Sequence, residues 1–488
     1  MVPTLQGLQI TPADFIFALR KKFQIIIKDP VSNKEKKMEN KKSIKSMATA
    51  IFTDNRKKIL FASFPADGHF NPLTGLAVFL QNSGHDVRWY TSVSYADKLK
   101  KLNIRHYPFE KALEIPDNNI DQIFPERKKI KSQVKKLVFD MIQAFILRGP
   151  EYFEDIKEIR NEFPFDIVVC DCVFPAIPFI KEKIEVPVIA IGVLPLTESS
   201  KDIPPAGLGI TPVNSLIGRI KQSVLRFVAD KILFSKPTKV MAKILQPHGI
   251  NFEGSNIFDL FVSKSTLLLQ SGTPGFEYRR SDLSKNIRFI GPLLPYNPAT
   301  GRQAWTHEKL KYYDKIILVT QGTVEKDMSK LLIPTLETYK NSEYLVVATT
   351  GGSGTKELKE KYPFENIIIE DFIPFQDIMP YADVYITNGG YGGVMLSIQN
   401  QLPMVVAGIH EGKNEINARV GYFNLGINLR TERPVPARLK ASVEKILCDG
   451  IYYKSVKKLS SEFSKYNPNQ LVRNYIDEVL DRQVHVKI

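Results

Sequence analysis

A histidine and an aspartate stand where acid–base chemistry could use them. His69 lies in Pro65–Pro72 (PADGHFNP), after the apolar run Lys58–Phe64 (KILFASF) and before Leu73, Leu76, Ala77 and Leu80 at helical spacing. A helix N-terminus beside an imidazole disfavours its protonated form, leaving a neutral ring that takes a proton near neutral pH. Asp171 follows a second apolar run, Phe165–Cys170 (FDIVVC). A carboxylate bonded to one ring nitrogen fixes the tautomer and stabilises the charge that arises when the other nitrogen is protonated. On residue type alone, His69 equally fits a capping or packed position, and Asp171 a helix N-cap.

A second set of residues suits an anion. Thr387–Gly393 (TNGGYGG) follows the apolar run Asp383–Thr387 and precedes Val394, Leu396 and Ile398 at helical spacing, with four glycines among the five residues 389–393. Glycines at a helix N-terminus let backbone N–H groups approach a phosphate closely. The pattern is neither a P-loop nor a Gly-x-Gly-x-x-Gly dinucleotide fingerprint. Gln321-Gly322-Thr323, after Lys315–Thr320 (KIILVT), offers an N–H and a hydroxyl to the same space. Two such loops suggest a diphosphate, although either alone is also an ordinary tight turn.

The elements that must position these groups read as a repeated α/β pattern. Lys58–Phe64, Asp86–Thr91, Ile104–Pro108, Phe165–Cys170, Val186–Ile191 and Thr266–Gln270 are expected strands of one parallel sheet, with helices between them. Lys315–Thr320, Glu343–Ala348, Asn366–Glu370, Asp383–Thr387 and Leu402–Ala407 form a second series. Arg288–Pro295 followed by Tyr296–Arg302 is rich in Pro and Gly and reads as the boundary between them. Open α/β sheets bind ligands at the carboxyl ends of their strands, where both candidate sets fall. A helix carrying Ile130, Val134, Leu137, Val138, Met141, Ile142 and Phe145 on one face is expected in the first half. The six basic residues from Arg127 to Lys136 at its start read as a solvated face. Leu471, Tyr475, Val479 and Leu480 mark a final helix packing back on the body.

Composition narrows the function class. The 488 residues are 43% hydrophobic and 24% charged, ordinary for a globular protein of two or three domains. Three cysteines exclude a disulfide framework and argue for a reducing, cytoplasmic setting. The net charge is +15, but residues 1–47 hold ten Lys/Arg against four Asp/Glu, so +6 belongs to this stretch and +9 to the rest. Nucleic acid thereby loses most of its support as a partner. Phe15–Ile27 is broken by Arg20, Lys21 and Lys22 and is too short for a membrane span. Residues 1–47 are read as a disordered leader, an interfacial basic anchor, or sequence upstream of the true start, the first and last being favoured.

Together these residues resemble the family 1, UDP-glycosyltransferase-like enzymes of the GT-B fold, the group that includes bacterial natural-product glycosyltransferases. The resemblance runs from about Lys57 to the final helix. It rests on Gly68-His69-Phe70-Asn71-Pro72, Asp171, Gly291-Pro292-Leu293-Leu294-Pro295, Gln321-Gly322-Thr323, Asp371-Phe372-Ile373-Pro374, Asn388–Gly393 and Asn417-Ala418-Arg419. It implies two doubly wound Rossmann-like α/β domains facing across a cleft. The acceptor domain would span 57–295, the linker 296–302, the nucleotide-sugar domain 303–465 and a returning C-terminal helix 466–488.

By the same resemblance, the enzyme would be an inverting, metal-independent hexosyltransferase without a cofactor. His69 would match the general base and Asp171 its partner carboxylate. Gly68, Thr323, Phe372, Ile373, Asn388, Gly390, Gly392 and Gly393 would serve the donor. The donor would be a UDP- or dTDP-sugar, and the acceptor a hydrophobic small molecule or lipid bearing a hydroxyl. Residues 115–149 and 204–234 would line the acceptor pocket. The expected location is the cytoplasm or the inner face of the membrane.

Departures from the family pattern carry information. Asn388 stands where a histidine is usual and donates without adding charge. Phe372 replaces the tryptophan that many members stack on the base, and Leu396 a glutamate that accepts from ribose hydroxyls, with Gln399 one turn on as a candidate substitute. Glu411, Lys413 and Asn414 stand near the usual Asp-Gln pair that faces the sugar. Two rivals remain at this stage: a UDP-sugar 2-epimerase of the same architecture, and a nucleotide-sugar-binding regulatory subunit without transferase activity.

Overall fold

The computed structural model describes residues 56–115, 120–296, 303–322 and 325–486. The leader 1–47, Thr323 and nearly all of the expected linker lie outside the described residues.

Two all-parallel sheets form the framework. The first contains β1 (Lys58–Ala62), β2 (Asp86–Tyr90), β3 (Arg105–Tyr107), β4 (Ile167–Asp171), β5 (Val188–Gly192), β6 (Leu267–Ser271) and β7 (Ile287–Gly291), in the order β3-β2-β1-β4-β5-β6-β7. The second contains β8 (Ile316–Thr320), β9 (Leu345–Thr349), β10 (Ile367–Glu370), β11 (Val384–Thr387), β12 (Met404–Val406) and β13 (Gly426–Asn428), in the order β10-β9-β8-β11-β12-β13. Every residue of β4, β5, β8 and β9 is buried, because helices cover both sheet faces and leave these strands no polar side. Strand order reverses between β1 and β4 in one sheet and between β8 and β11 in the other. Such switch points open a crevice at the strands' carboxyl ends.

Six helices matter below: α1 (Asp67–Asn82), α2 (Gln133–Asp140), α3 (Leu216–Ala229), α4 (Tyr391–Gln399), α5 (Lys413–Tyr422) and α6 (Pro468–Val486). The chain's end returns to the first sheet, where Val472, Ile476, Val479 and Leu480 of α6 join Leu73, Leu76 and Leu80 of α1 in one apolar cluster.

Two expectations need correction, and one strand was not expected. The loop Pro65–Pro72 is short, because α1 begins at Asp67 and carries Pro72 inside it. The helix expected over Ile130–Phe145 begins only at Gln133, and its Val134 and Leu137 are exposed while Met141 and Ile142, in the turn beyond it, are buried. Strand β13 had no apolar run to announce it. It opens on Gly426, where a Cβ would come within 1.9 Å of Met404 O, so close strand approach demands glycine.

Candidate functional site

The first crevice brings His69 and Asp171 together. Asp171 is the last residue of β4 and fully buried, and His69 sits in the first turn of α1 after β1, with Nδ1 3.1 Å from Asp171 Oδ1. The carboxylate is fixed independently of the ring: Phe64 N donates to Oδ2 at 2.8 Å and Val173 N to Oδ1 at 3.1 Å. Asp171 thus caps the turn that follows it and also holds the imidazole, so the two readings of this residue coexist. Phe64 meets the His69 ring edge-on at 5.7 Å and stacks on Phe145 at 4.1 Å, forming an apolar wall beside the dyad. Gly68 is exposed, and a Cβ there would meet no atom within 4 Å. No side chain caps α1 at Ala66, so its first N–H groups are left unpaired by the helix.

The second crevice gathers the glycine loops. Asn388 follows β11 and donates through Nδ2 to Gln321 O after β8, so this amide ties the two loops together. Gly389 takes φ +86°, and a Cβ there would lie 1.7 Å from Asn417 Oδ1. The fully buried Asn417 of α5 donates to Asn388 O at 3.2 Å and Gly408 O at 2.9 Å, bracing the loop from behind. Gly390 occupies the N-cap of α4 with no side-chain bond, and the space at a Gly392 Cβ is open. Gly393 packs on Tyr385, whose hydroxyl would lie 3.2 Å from an added Cβ. Uncapped N–H groups at a helix N-terminus next to open space form an anion cradle.

The remaining donor candidates divide. Phe372 is 65% exposed at the end of β10, with its ring beside Gly352, and so presents an aromatic face. Ile373 is buried in the second domain's core and offers at most its backbone. Gln399 ends α4, one helix length from the glycine loop, and lies in a groove with Ser460 and Tyr466; it does not join the crevice. Glu411, at φ +56°, pairs with Lys413. Asn414 Nδ2 donates to Gly207 O at 2.7 Å and Glu415 Oε1 accepts from Gly209 N at 2.7 Å, so this part of α5 is clasped to residues 207–209 of the first half.

The chain belongs to a known family. Over 408 residues it is 30% identical to 4'-demethylrebeccamycin synthase of Lentzea aerocolonigenes, covering 83% of this chain and 96% of that protein. It is a family 1, UDP-glycosyltransferase-like enzyme. A UDP-glucosyltransferase 1 of Beauveria bassiana is 28% identical over 431 residues, 84% of this chain and 92% of its own. The solved glycotransferase of kitacinnamycin shares the GT-B fold at TM-score 0.68 and 18% identity, covering 87% of this chain and 100% of that one. A scan against protein-family models gives no match.

This family 1 member is a hexosyltransferase that uses nucleotide-sugar donors. Residue reasoning missed three parts of its crevice. The loop Gly351–Gly354 holds three glycines at positive φ beneath Phe372, a legible cluster that went unread. Asn417 was visible only as a member of a matched segment, not as the brace of the glycine loop. Tyr391 lies inside that loop, yet its hydroxyl reaches the other half, donating to Ser271 O at 2.7 Å. Burial pushes this hydroxyl's pKa up, which keeps it a donor.

Proposed function

We propose that the enzyme transfers a hexose with inversion from a UDP- or dTDP-sugar to a hydroxyl of a hydrophobic small-molecule or lipid acceptor. The observation that carries this reading is the 3.1 Å contact between His69 Nδ1 and the doubly anchored Asp171. With Nδ1–H held by the carboxylate, Nε2 is the lone-pair nitrogen and takes the acceptor's hydroxyl proton. The acceptor oxygen forms a bond to the anomeric carbon while the bond from that carbon to the diphosphate oxygen breaks on the opposite face. The N–H groups of Gly392 and Gly393, the dipole of α4 and the second N–H of Asn388 stand ready for the charge that grows on the leaving diphosphate. Thr323 joins them in this reading. These groups supply the stabilisation without a metal.

Phe372 is assigned to the nucleobase by its exposed ring. Leu396, half-buried against the core, leaves the ribose without a carboxylate from α4, so both uracil and thymine nucleotides remain candidates. The stem of Lys413 lies near Gly408 and Asn388 while its ammonium pairs with Glu411, and this cation is assigned to the sugar–phosphate end. Three unpaired cysteines suit a reducing, cytoplasmic location.

The deciding experiment compares the wild type with His69→Ala. Turnover should fall by about 10²–10⁴-fold while the Kd for UDP or dTDP, read by calorimetry, stays put. Equal turnover would refute the assignment of the base.

A further inference from the structure

We infer that α3 docks on an anionic membrane surface, with its apolar side entering the headgroup region. Expected to line the acceptor pocket, the helix instead turns its apolar side to solvent and is inverted relative to an ordinary surface helix. Ser215 caps its start by accepting from Gly218 N at 3.1 Å, and its inward side holds Gln222, bonded through Nε2 to Val213 O at 2.8 Å, together with Ala229. Arg226 also turns inward, donating to Ile203 O at 2.6 Å. The outward side carries Leu216, Ile217, Ile220, Val224 and Phe227, and the next turn adds Ile232; Ile217 is 80% and Phe227 64% exposed. At 100° per residue, positions 216, 217, 220, 224 and 227 fall within one sector opposite Gln222 and Ala229. A continuous apolar stripe of this kind facing solvent marks an interaction surface.

The charge around the stripe selects the occupant. Residues 216–245 hold seven basic side chains (Arg219, Lys221, Arg226, Lys231, Lys236, Lys239, Lys243) against one acidic side chain, Asp230. Arg219, Lys221 and Lys231 are exposed around the stripe, and Lys231 Nζ stands 5.7 Å from the Phe227 ring centroid. Asp230 turns toward Asn256, whose Nδ2 lies 3.5 Å from its Oδ1. Helix α2, which packs against residues 230–234 just beyond α3, also exposes Val134 and Leu137 beside Lys135. An apolar centre with a basic rim is the signature of a helix lying in an anionic lipid interface. A second copy stacked on the same face would oppose identical cations, which disfavours self-association there. Among the described residues no helix is long and apolar enough to cross a membrane.

The test floats the full chain with vesicles of phosphatidylcholine alone or of an equal mixture with phosphatidylglycerol. The wild type should rise with the mixed vesicles, less so at high salt, and stay behind with the neutral ones. Ile217→Glu/Phe227→Glu should weaken binding to the mixed vesicles at least about tenfold, since two anchors are lost and two like charges face the lipid. Lys221→Gln/Lys231→Gln, which spares the apolar stripe, should also weaken it and flatten its salt dependence. Nucleotide affinity should be unchanged in both variants, which checks folding independently of the surface. Failure of the wild type to float with the mixed vesicles would overturn the inference. So would equal flotation of the Ile217/Phe227 variant, which would place the lipid contact elsewhere in the chain. A wild-type dimer that this variant converts to monomer, without flotation, would assign the face to self-association instead.

Discussion

Arg419 of α5 places Nε 3.1 Å and Nη2 2.9 Å from Glu277 Oε2, joining the second half of the molecule to the first through a pair almost completely buried. Its Nη1 donates to Glu415 Oε2 at 3.0 Å, and its guanidinium lies 4.3 Å from the Tyr278 ring centroid. Burial alone would lower its pKa, but Glu277, Tyr278 and Glu415 more than reverse this and hold it raised. Arg280 approaches the same Glu277 oxygen at 3.5 Å, and burial lowers its pKa. Glu277 is therefore shared by two buried guanidiniums at the interface, while Glu415 supports Arg419 from its own helix.

Removing the Glu277 carboxylate takes away the one that Arg280 pairs with and leaves Arg419 with Glu415 alone. Glu277→Gln should destabilise by about 3–5 kcal/mol, the cost of breaking a buried pair from one side. Arg419→Met leaves Glu277 with Arg280 and should cost less. Denaturant unfolding of both variants checks the order, and equal losses would show that Arg280 does not share the carboxylate.

In the proposed mechanism Asp171 acts on His69 rather than on substrate, so its removal should leave a particular kinetic mark. Asp171→Asn should lower kcat by about 10³–10⁴-fold through loss of the required tautomer, with the donor KM little changed. Combining it with His69→Ala should add almost nothing, because the two residues work as one unit. Additive losses in steady-state kinetics would separate their roles.

Two glycines of one loop should respond in opposite ways. At Gly389 any side chain would collide with Asn417 and must hold φ +86°, so Gly389→Ala should lose at least about 1–2 kcal/mol of stability and release the loop. At Gly392 a Cβ meets no protein atom, so Gly392→Ala should keep or gain stability, by about 0.5–1 kcal/mol, since alanine is the better helix former. In the proposed donor site the same methyl would occupy the diphosphate's approach. Nucleotide affinity should drop for Gly392→Ala, and more steeply for Gly392→Val. Calorimetry paired with thermal unfolding separates the two positions, and intact affinity in Gly392→Val would move the diphosphate elsewhere.

What was legible from the residues follows from how local each signal is. The central strands are continuous apolar runs because both their faces are buried, so they read directly, and with them the loops at their carboxyl ends. His69 and Asp171 belong to different strand ends, and only strand order, with β1 beside β4, makes them neighbours. The short edge strand β13 was invisible because its decisive residue, Gly426, is chosen by contact with Met404 rather than by local propensity. Gln399 was misplaced because counting one turn along α4 ignores that each turn also moves away from the loop. The outward apolar face of α3 could not be told from an inward one, since periodicity fixes the stripe and leaves its direction to tertiary packing.

The cysteines give a test that needs no assay of activity. Burial beside Asp171 pushes the Cys172 thiol up to about 12 and raises Cys170 as well, so both stay protonated and unreactive at neutral pH. Their folded pKa values lie above the unfolded ones, so the stability tied to keeping both thiols protonated is fully present below the ordinary thiol value and is lost as pH rises from there toward the folded value. Cys448 is exposed at the end of its helix. A chromogenic disulfide reagent at neutral pH should therefore label one of the three thiols rapidly in the native protein and the other two only after denaturation. Cys448→Ser should abolish the fast phase. A second fast thiol would mean that the strand end carrying Asp171 opens to solvent, and the rigid support proposed for His69 would fall with it.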